Sequence, residues 1–450
     1  MRADLAAGYG EERLPRYTSY PTAPHFSPAI GAEAYAKWLA EIPANLSASL
    51  YLHVPFCRKM CWYCGCHTQI ARRDDLIDAY QKTMRREIEL VAGKIGRRVK
   101  VEHIHFGGGT PTIMAPEAFT EMMAALRQAF FVLPDAEIAI EIDPRTLTSE
   151  MTEALRLGGI NRASLGVQSF DPGVQVAINR VQSFEQTKSV TENLRRAGIK
   201  GVNFDLIYGL PHQTVASCLD TVRRCLELKP DRFSVFGYAH VPSFKKHQRK
   251  IDEAYLPDTG GRFDQSCAIA NALKEAGYVQ IGLDHFALPD DSMAKAFAEK
   301  KLRRNFQGYT TDTSEALIGF GSSAIGHLPQ GYVQNDVNIV HYSQAIAAGR
   351  LATVKGYRLT ADDLLRADII ERIMCDYGVD LGEVCGRHGA APAAVLQSAG
   401  RLTNLIADGV VKLDGNSLAV AKDSRFLLRS VAAAFDAHLD AAKQLHSRAV

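Results

Sequence analysis

From residue 48 to residue 236, short β-rich runs alternate with longer helical patterns, and no other feature of the 450-residue chain restricts its fold so tightly. Strand-like runs lie at 49–54, 101–106, 137–142, 162–167, 202–207 and 232–236. Helical periodicity fills the intervals at 74–91, 116–130, 148–157, 184–197 and 214–228. A strand followed by a helix long enough to return the chain gives a βαβ unit, and consecutive units lay parallel strands side by side. The expectation is an α/β fold, a partial (β/α)6 barrel with its helices outside.

Such a barrel builds its site at the carboxyl ends of its strands, where residues distant in sequence meet. Polar and glycine residues fall at those ends: Cys57 after the first strand, Gly107, Gly108 and Gly109 after the second, and Glu141 and Asp143 closing the third. Gln168 follows the fourth strand and Asp205 lies late in the fifth. Their coincidence points to a single site.

Two flanking units are expected. Residues 1–47 carry the aromatic, proline-rich RYTSYPTAPHF and an amphipathic stretch at 34–42; they read either as a mobile tail or as an arm folding back on the barrel domain of 48–344, and the aromatic content favours the arm. The 345–450 region is a small, mainly helical, winged-helix-like domain, with Thr360 capping LTADDLLRADIIERIM and a hairpin turning at Asp414-Gly415. It lacks a dense basic face, and the whole chain nets only +2, so no nucleic-acid partner is expected. The opening segment has no apolar signal core and no run is long enough to cross a bilayer, which predicts a cytoplasmic chain without membrane insertion. A monomer is expected.

Four of nine cysteines cluster within ten residues, in VPFCRKMCWYCGC. In a chain without an export signal, clustered thiols indicate metal rather than disulfides. Cys57, Cys61 and Cys64 have the spacing C-x3-C-x2-C, compact enough for three thiolates to hold one iron–sulfur cube and leave its fourth iron open. The alternative is a zinc site adding Cys66, but zinc sites commonly pair two CxxC units, and the x3, x2, x1 series offers no such pair. His67, adjacent to Cys66, is poorly placed for the same ion. The turn Gly107-Gly108-Gly109-Thr110-Pro111 allows close backbone approach to a ligand, yet lacks the G-K-[ST] ending of a nucleotide P-loop.

The cysteine loop after a first strand, Tyr63 before its third cysteine and GGGTP after a second strand resemble the radical S-adenosylmethionine superfamily. With SLYLHVPFC, CWYCGC, EIDPR, LGVQSF, INRVQ, NFDLIYGLP, GLDHFA and RNFQGYT, the chain resembles the family of oxygen-independent coproporphyrinogen III oxidases through about residue 330, and more loosely beyond. The resemblance implies a radical-SAM barrel with a [4Fe–4S] cluster on Cys57, Cys61 and Cys64. It implies two molecules of S-adenosylmethionine. Tyr51, Gly108, Glu141 and Ile325 would contact the first, with Glu141 in the catalytic set. Tyr63, Gly109, Thr110, Gln168, Arg180, Asp205 and Ala239 would contact the second, and Phe306 and Gln307 belong to the cofactor-side set. Separately, Glu141 and Asp205 fit helix caps, and Arg180 a surface ion pair, so only their joint pattern marks a site.

The implied reaction turns two propionates of coproporphyrinogen III into vinyl groups, giving protoporphyrinogen IX in haem biosynthesis. Removing hydrogen from an unactivated carbon exceeds side-chain acid–base chemistry, so the radical comes from the cofactor and a one-electron reductant such as flavodoxin or ferredoxin feeds it. An anionic substrate needs cations, and the candidates are Arg16, Lys245, Lys246, Arg249, Lys250, Arg303 and Arg304. A haem-binding chaperone and a haem-processing relative are the alternative functions; Cys66 and RNFQGYT favour the oxidase.

Overall fold

A computed structural model describes residues 2–439. Its centre is a run of parallel strands adjacent in chain order: β1 (Ser47–Val54), β2 (Lys100–Gly108), β3 (Phe131–Ile142), β4 (Arg162–Gln168), β5 (Gly201–Tyr208) and β6 (Arg232–Gly237). Alternation explains their two faces. In β1, Leu50, Leu52 and Val54 are fully buried among apolar residues, while Ser49, Tyr51 and His53 carry hydrogen bonds on the opposite, polar face.

The crossover helices are α1 (Asp74–Ile95), α2 (Pro116–Ala129), α3 (Ser149–Gly158), α4 (Phe184–Arg196) and α5 (Val215–Glu227). Their starts are written locally. The Thr148 hydroxyl accepts from Met151 N, and Ser183 with Gln186 and Thr214 with Ser217 form reciprocal capping boxes.

The sheet extends beyond the six expected strands. After β6 come β7 (Val279–Ile281) and β8 (His285–Ala287), then a separate hairpin of β9 (Arg303–Asn305) and β10 (Gly308–Thr310). The chain next returns to the far side of β1, where β11 (Ala316–Phe320) pairs in parallel, Tyr51 opposite Gly319. Three antiparallel strands follow: β12 (Ile325–Leu328), β13 (Gly331–Asn335) and β14 (Thr353–Arg358). The result is one twelve-stranded open sheet, edged by β14 and β7. Because β14 pairs with β13 from Thr353 to Arg358, the sheet runs past the expected division at 344/345 and ends at Arg358.

The C-terminal unit begins with α6 (Ala361–Asp376), capped by Thr360 with Asp363 at its third position. Its hairpin, β16 (Val411–Asp414) with β17 (Ser417–Val420), gains a third strand, β15 (Gly378–Asp380). Met1 of the expected arm and residues 440–450 of the expected C-terminal domain lie outside the described residues. The arm serves two cores. Leu5, Leu14, Tyr17 and Tyr20 pack with Ile369, Ile373 and Phe435 of the C-terminal unit, whereas Tyr35, Trp38 and Leu39 join the barrel core. A fully buried large apolar side chain such as Trp38 stabilises by about 2 kcal/mol, so the arm is an integral part of the fold.

Candidate active site

Beyond β1, Phe56–Cys57 pairs with Gln69–Ile70 and closes the base of the cysteine loop. The glycine turn after β2 lies directly against that base: Gly109 N and Thr110 N donate to Val54 O and Phe56 O, both at 2.8 Å. Glycine is required there by space. A Cβ on Gly109 would lie 2.5 Å from Phe56 O, and Gly108, at φ +117°, would place one 2.8 Å from the His53 ring. The thiol of Cys57 approaches the Thr110 hydroxyl at 3.5 Å.

The loop tip is gripped from two sides. Trp62 N donates to Ile178 O at 2.9 Å, and Asn179 Nδ2 to Met60 O at 2.8 Å. From the other side, His247 Nε2 donates to Cys64 O at 2.7 Å, Lys245 Nζ to Cys66 O at 2.9 Å, and the fully buried Gln248 to Tyr63 O and Ala239 O at 3.0 and 3.2 Å. Cys61 is buried and receives two guanidinium contacts at 3.5 Å, from Arg145 and Arg180; Cys57 and Cys64 are half-buried and Cys66 is exposed. Asp143 sits between the arginines, bonded to Arg145 at 2.6 Å and to Arg180 at 3.4 Å; burial raises its carboxyl, but Arg145 and Arg180 hold it below the usual range.

These thiols fit an iron–sulfur cube. Two guanidiniums lie beside Cys61, and burial, which pushes the Cys57 thiol up to about 11, is offset when iron takes the proton's place. Three sulfurs around a cube bind separate irons and need no common focus, whereas zinc needs its donors around one point. Among the described residues no three Cys, His, Asp or Glu side chains are disposed around a single ion.

Tyr51, Gly108, Glu141 and Ile325 do come together. Glu141 accepts from Gly108 N at 3.2 Å and from His105 Nε2 at 3.3 Å, and Ile325 lies beside Gly319, the neighbour of Tyr51 across the sheet. His53 was not foreseen. Its Nε2 donates to His67 O, leaving Nδ1 to accept from the Tyr51 hydroxyl at 3.0 Å, and burial lowers its pKa. Beneath it, the Tyr80 hydroxyl donates to His53 O at 2.8 Å. The buried Glu87 accepts from Gly321 N, Asn335 and Tyr342 at 2.7, 2.6 and 2.7 Å.

Of the second group, Tyr63, Gly109, Thr110, Arg180 and Ala239 all border the cysteine loop, and Arg180 Nη2 also donates to Gly166 O at 2.6 Å. Arg180 is 6% exposed, which excludes the surface ion pair, and its Nε has no protein partner. Gln168 is buried at φ +67°, with Oε1 likewise unpartnered. Asp205 accepts from Ser164 and Asn203 at 2.8 Å each, while burial pushes its carboxyl up to about 6. Neither Glu141 nor Asp205 caps a helix. Buried polar atoms without partners beside a glycine cradle fit a polar ligand.

The β9–β10 turn separates Phe306 from Gln307. Gln307 shares a small cavity with His103, His105, Glu137 and Asp312. Phe306 enters a cleft of about 1090 Å³ between the hairpin, the arm and the C-terminal unit, its ring 5.9 Å from that of Tyr332. The candidate cations divide. Arg303 pairs with Glu371 at 3.1 Å, Arg304 donates to Tyr17 O and Arg16 O at 3.2 and 3.1 Å, and Arg16 reaches Gly237 O at 3.4 Å. Lys245, Lys246, Arg249 and Lys250 lie instead along the segment that grips the cysteine loop.

Comparison with known proteins decides what this arrangement belongs to. The Radical SAM superfamily profile matches residues 51–225 and the HemN C-terminal domain profile residues 359–427. Over all 450 residues of both chains, the sequence is 78% identical to an oxygen-independent coproporphyrinogen III oxidase of Bradyrhizobium diazoefficiens. The chain belongs to the oxygen-independent coproporphyrinogen III oxidases. It is a radical S-adenosylmethionine enzyme of haem biosynthesis, using a [4Fe–4S] cluster in the oxidative decarboxylation of coproporphyrinogen III to protoporphyrinogen IX. The family member of Escherichia coli K12 is 39% identical over 428 residues, 94% of this chain and 93% of its own. A solved structure described as coproporphyrinogen III oxidase (HemN) from Escherichia coli, a Radical SAM enzyme, superposes with TM-score 0.90 at 37% identity, covering 95% of this chain and 100% of that one.

Proposed function

We propose that Cys57, Cys61 and Cys64 hold the cluster, and that the two groups of residues around the cysteine loop bind two molecules of S-adenosylmethionine. The observation that carries this reading is the contact between loop base and glycine turn. Gly109 N and Thr110 N are spent on Val54 O and Phe56 O, so the turn is held rigid against the thiolates and Gly108 and Glu141 face the polar interior. When bound, the reduced cluster and S-adenosylmethionine would supply the radical chemistry needed to remove hydrogen from an unactivated carbon.

The chain's own residues bind and orient. Tyr51, Gly108, Glu141 and Ile325 receive the first molecule, with Glu141 as the anionic acceptor for its ammonium group. Tyr63, Gly109, Thr110, Gln168, Arg180, Asp205 and Ala239 receive the second, where unpartnered Gln168 Oε1 and Arg180 Nε offer an acceptor and a donor. Phe306 and Gln307, in the β9–β10 turn, complete the cofactor-side set. Arg304 and Arg16 take propionates: Arg304 keeps one Nη1 without a protein acceptor, and both guanidiniums stand near the Asp284–His285 pair. Burial pushes Asp284 up, but the His285 hydrogen bond and these two cations hold its carboxyl below the usual range.

A flavodoxin- or ferredoxin-type reductant, a monomeric state and a cytoplasmic location complete the proposal, with arm, barrel and C-terminal unit as its three parts. Among the described residues no helix is long and apolar enough to cross a membrane. Equilibrium binding tests the site. Anaerobic holoenzyme should take up two molecules of S-adenosylmethionine, and Gln168→Ala with Asp205→Ala should take up one while keeping its iron. Retention of both molecules by that double variant contradicts the second site.

A further inference from the structure

The segment gripping the cysteine loop has a second property, visible in its charge. Residues 57–73 carry Arg58, Lys59, Arg72 and Arg73 with no Asp or Glu, and residues 243–251 carry Lys245, Lys246, Arg249 and Lys250 with none either. The two stretches touch, through Lys245 and His247 on the carbonyls of Cys66 and Cys64 and Lys250 5.6 Å from the centre of the Trp62 ring. Eight cations therefore lie on the cluster loop and the segment that grips it, in a chain that nets only +2 overall. Asp74 and Asp75, at the start of α1, pair with Arg58 and Arg73; Glu253 pairs with His240, and Asp252 caps Ala254 N. Lys59, Arg72, Lys246 and Lys250 remain exposed and outside any ion pair among the described residues, and Gly65, Cys66 and the 60% exposed Phe244 on the same two stretches are exposed as well.

We propose that this basic rim is the docking face for an acidic one-electron carrier protein, bringing its redox centre against the Cys64–Cys66 stretch of the loop. The inference rests on the reading that such a carrier feeds the enzyme. In each transfer the carrier loses one electron and the cluster gains one. Charge complementarity favours this occupant, since a basic patch speeds and orients encounter with an acidic protein. The anionic substrate is the competing occupant. None of the eight cations lines the large cleft, where Arg303 and Arg304 are found instead. The grip also ties this face to the cluster loop: the side chains of Lys245, His247 and Gln248 bond directly to the carbonyls of Cys66, Cys64 and Tyr63.

The test compares holoenzyme with Lys59→Glu/Arg72→Glu/Lys246→Glu, and with the milder triple Gln variant, anaerobically. Flavodoxin affinity is measured by titration calorimetry at low and moderate salt, and 5′-deoxyadenosine formation is measured with reduced flavodoxin and with dithionite. The Glu variant should bind flavodoxin at least about 10-fold more weakly, the Gln variant should fall between, and wild-type affinity should drop with salt. Flavodoxin-driven turnover should fall in parallel, while iron content, dithionite-driven turnover and the KM for coproporphyrinogen III stay at wild-type values. Unchanged flavodoxin affinity and turnover overturn the docking face and leave the carrier reading intact. A raised KM for coproporphyrinogen III under dithionite reassigns the rim to substrate. Wild-type enzyme that works with dithionite but with neither flavodoxin nor ferredoxin overturns the carrier reading and the face with it.

Discussion

Gly109→Ala should disconnect the cluster loop from the barrel. The added methyl would lie 2.5 Å from Phe56 O and 2.8 Å from Phe56 C and N, all backbone atoms. Phe56 cannot retreat, being 3% exposed with its ring edge-on to Tyr80 at 5.2 Å. Relief therefore requires the turn to move away, breaking the 2.8 Å bonds from Gly109 N to Val54 O and from Thr110 N to Phe56 O. Overpacking costs about 1–3 kcal/mol and each lost backbone bond about 1 kcal/mol, so the local cost is about 3–5 kcal/mol. Cys57 lies within the segment those bonds fix, and iron loading should fall with them. Gly65→Ala is the control: its Cβ meets nothing within 4 Å, and stability should change by less than about 0.5 kcal/mol. Iron and sulfide analysis with anaerobic thermal melting reads both variants. A Gly109→Ala enzyme with full iron content and wild-type melting would refute the argument that this contact holds the loop.

Replacing Cys57, Cys61 or Cys64 by Ser should abolish iron loading and 5′-deoxyadenosine formation, whereas Cys66→Ser keeps the iron; elemental analysis that loses iron only with Cys66→Ser reverses the ligand assignment. Gln248→Ala should cost about 3 kcal/mol by stranding Tyr63 O, Ala239 O and Val241 N, and should hasten cluster loss to a chelator; a variant as resistant as wild type contradicts the grip. Burial pushes Glu87 up to about 7, so the folded chain holds that proton more tightly than the unfolded one. The resulting stabilisation is complete below about pH 4 and lost as pH rises through about 7, amounting to about 3 kcal/mol. Anaerobic urea unfolding at pH 5 and pH 8 should show wild type losing this relative to Glu87→Gln, and parallel losses would contradict it.

Much of the barrel was legible because its signals are local. Each of β1 to β6 is a short β-rich run followed by a helix with its own cap, and the site residues fall at strand ends. The strands beyond those six were not. The apolar run Ala316–Phe320 reads equally as core helix or strand, and only its parallel pairing with β1, far away in sequence, makes it a strand. The same holds for β14, whose six residues owe their state to β13 and set the end of the sheet at Arg358. At the site, the cysteine spacing pointed to an iron–sulfur cluster, and the resemblance carried by that loop and the glycine turn implied the rest of the cofactor chemistry. The support beneath them was hidden: FKKHQRK reads as a charge run, while its least conspicuous member, Gln248, is the fully buried one. His53 and His105 alternate in step with Tyr51 and Gly107, a signal of a shared face that periodicity alone does not distinguish from packing.

The central claim is that this site decarboxylates coproporphyrinogen III with a radical made from S-adenosylmethionine. An anaerobic assay of cluster-loaded enzyme with coproporphyrinogen III, S-adenosylmethionine and reductant tests it most directly, by following tetrapyrrole mass, carbon dioxide and 5′-deoxyadenosine together. The account predicts protoporphyrinogen IX, with 5′-deoxyadenosine formed in step with each carboxyl group lost and no product without reductant. Loaded enzyme that cleaves S-adenosylmethionine, leaves coproporphyrinogen III unchanged and binds haem tightly would contradict it.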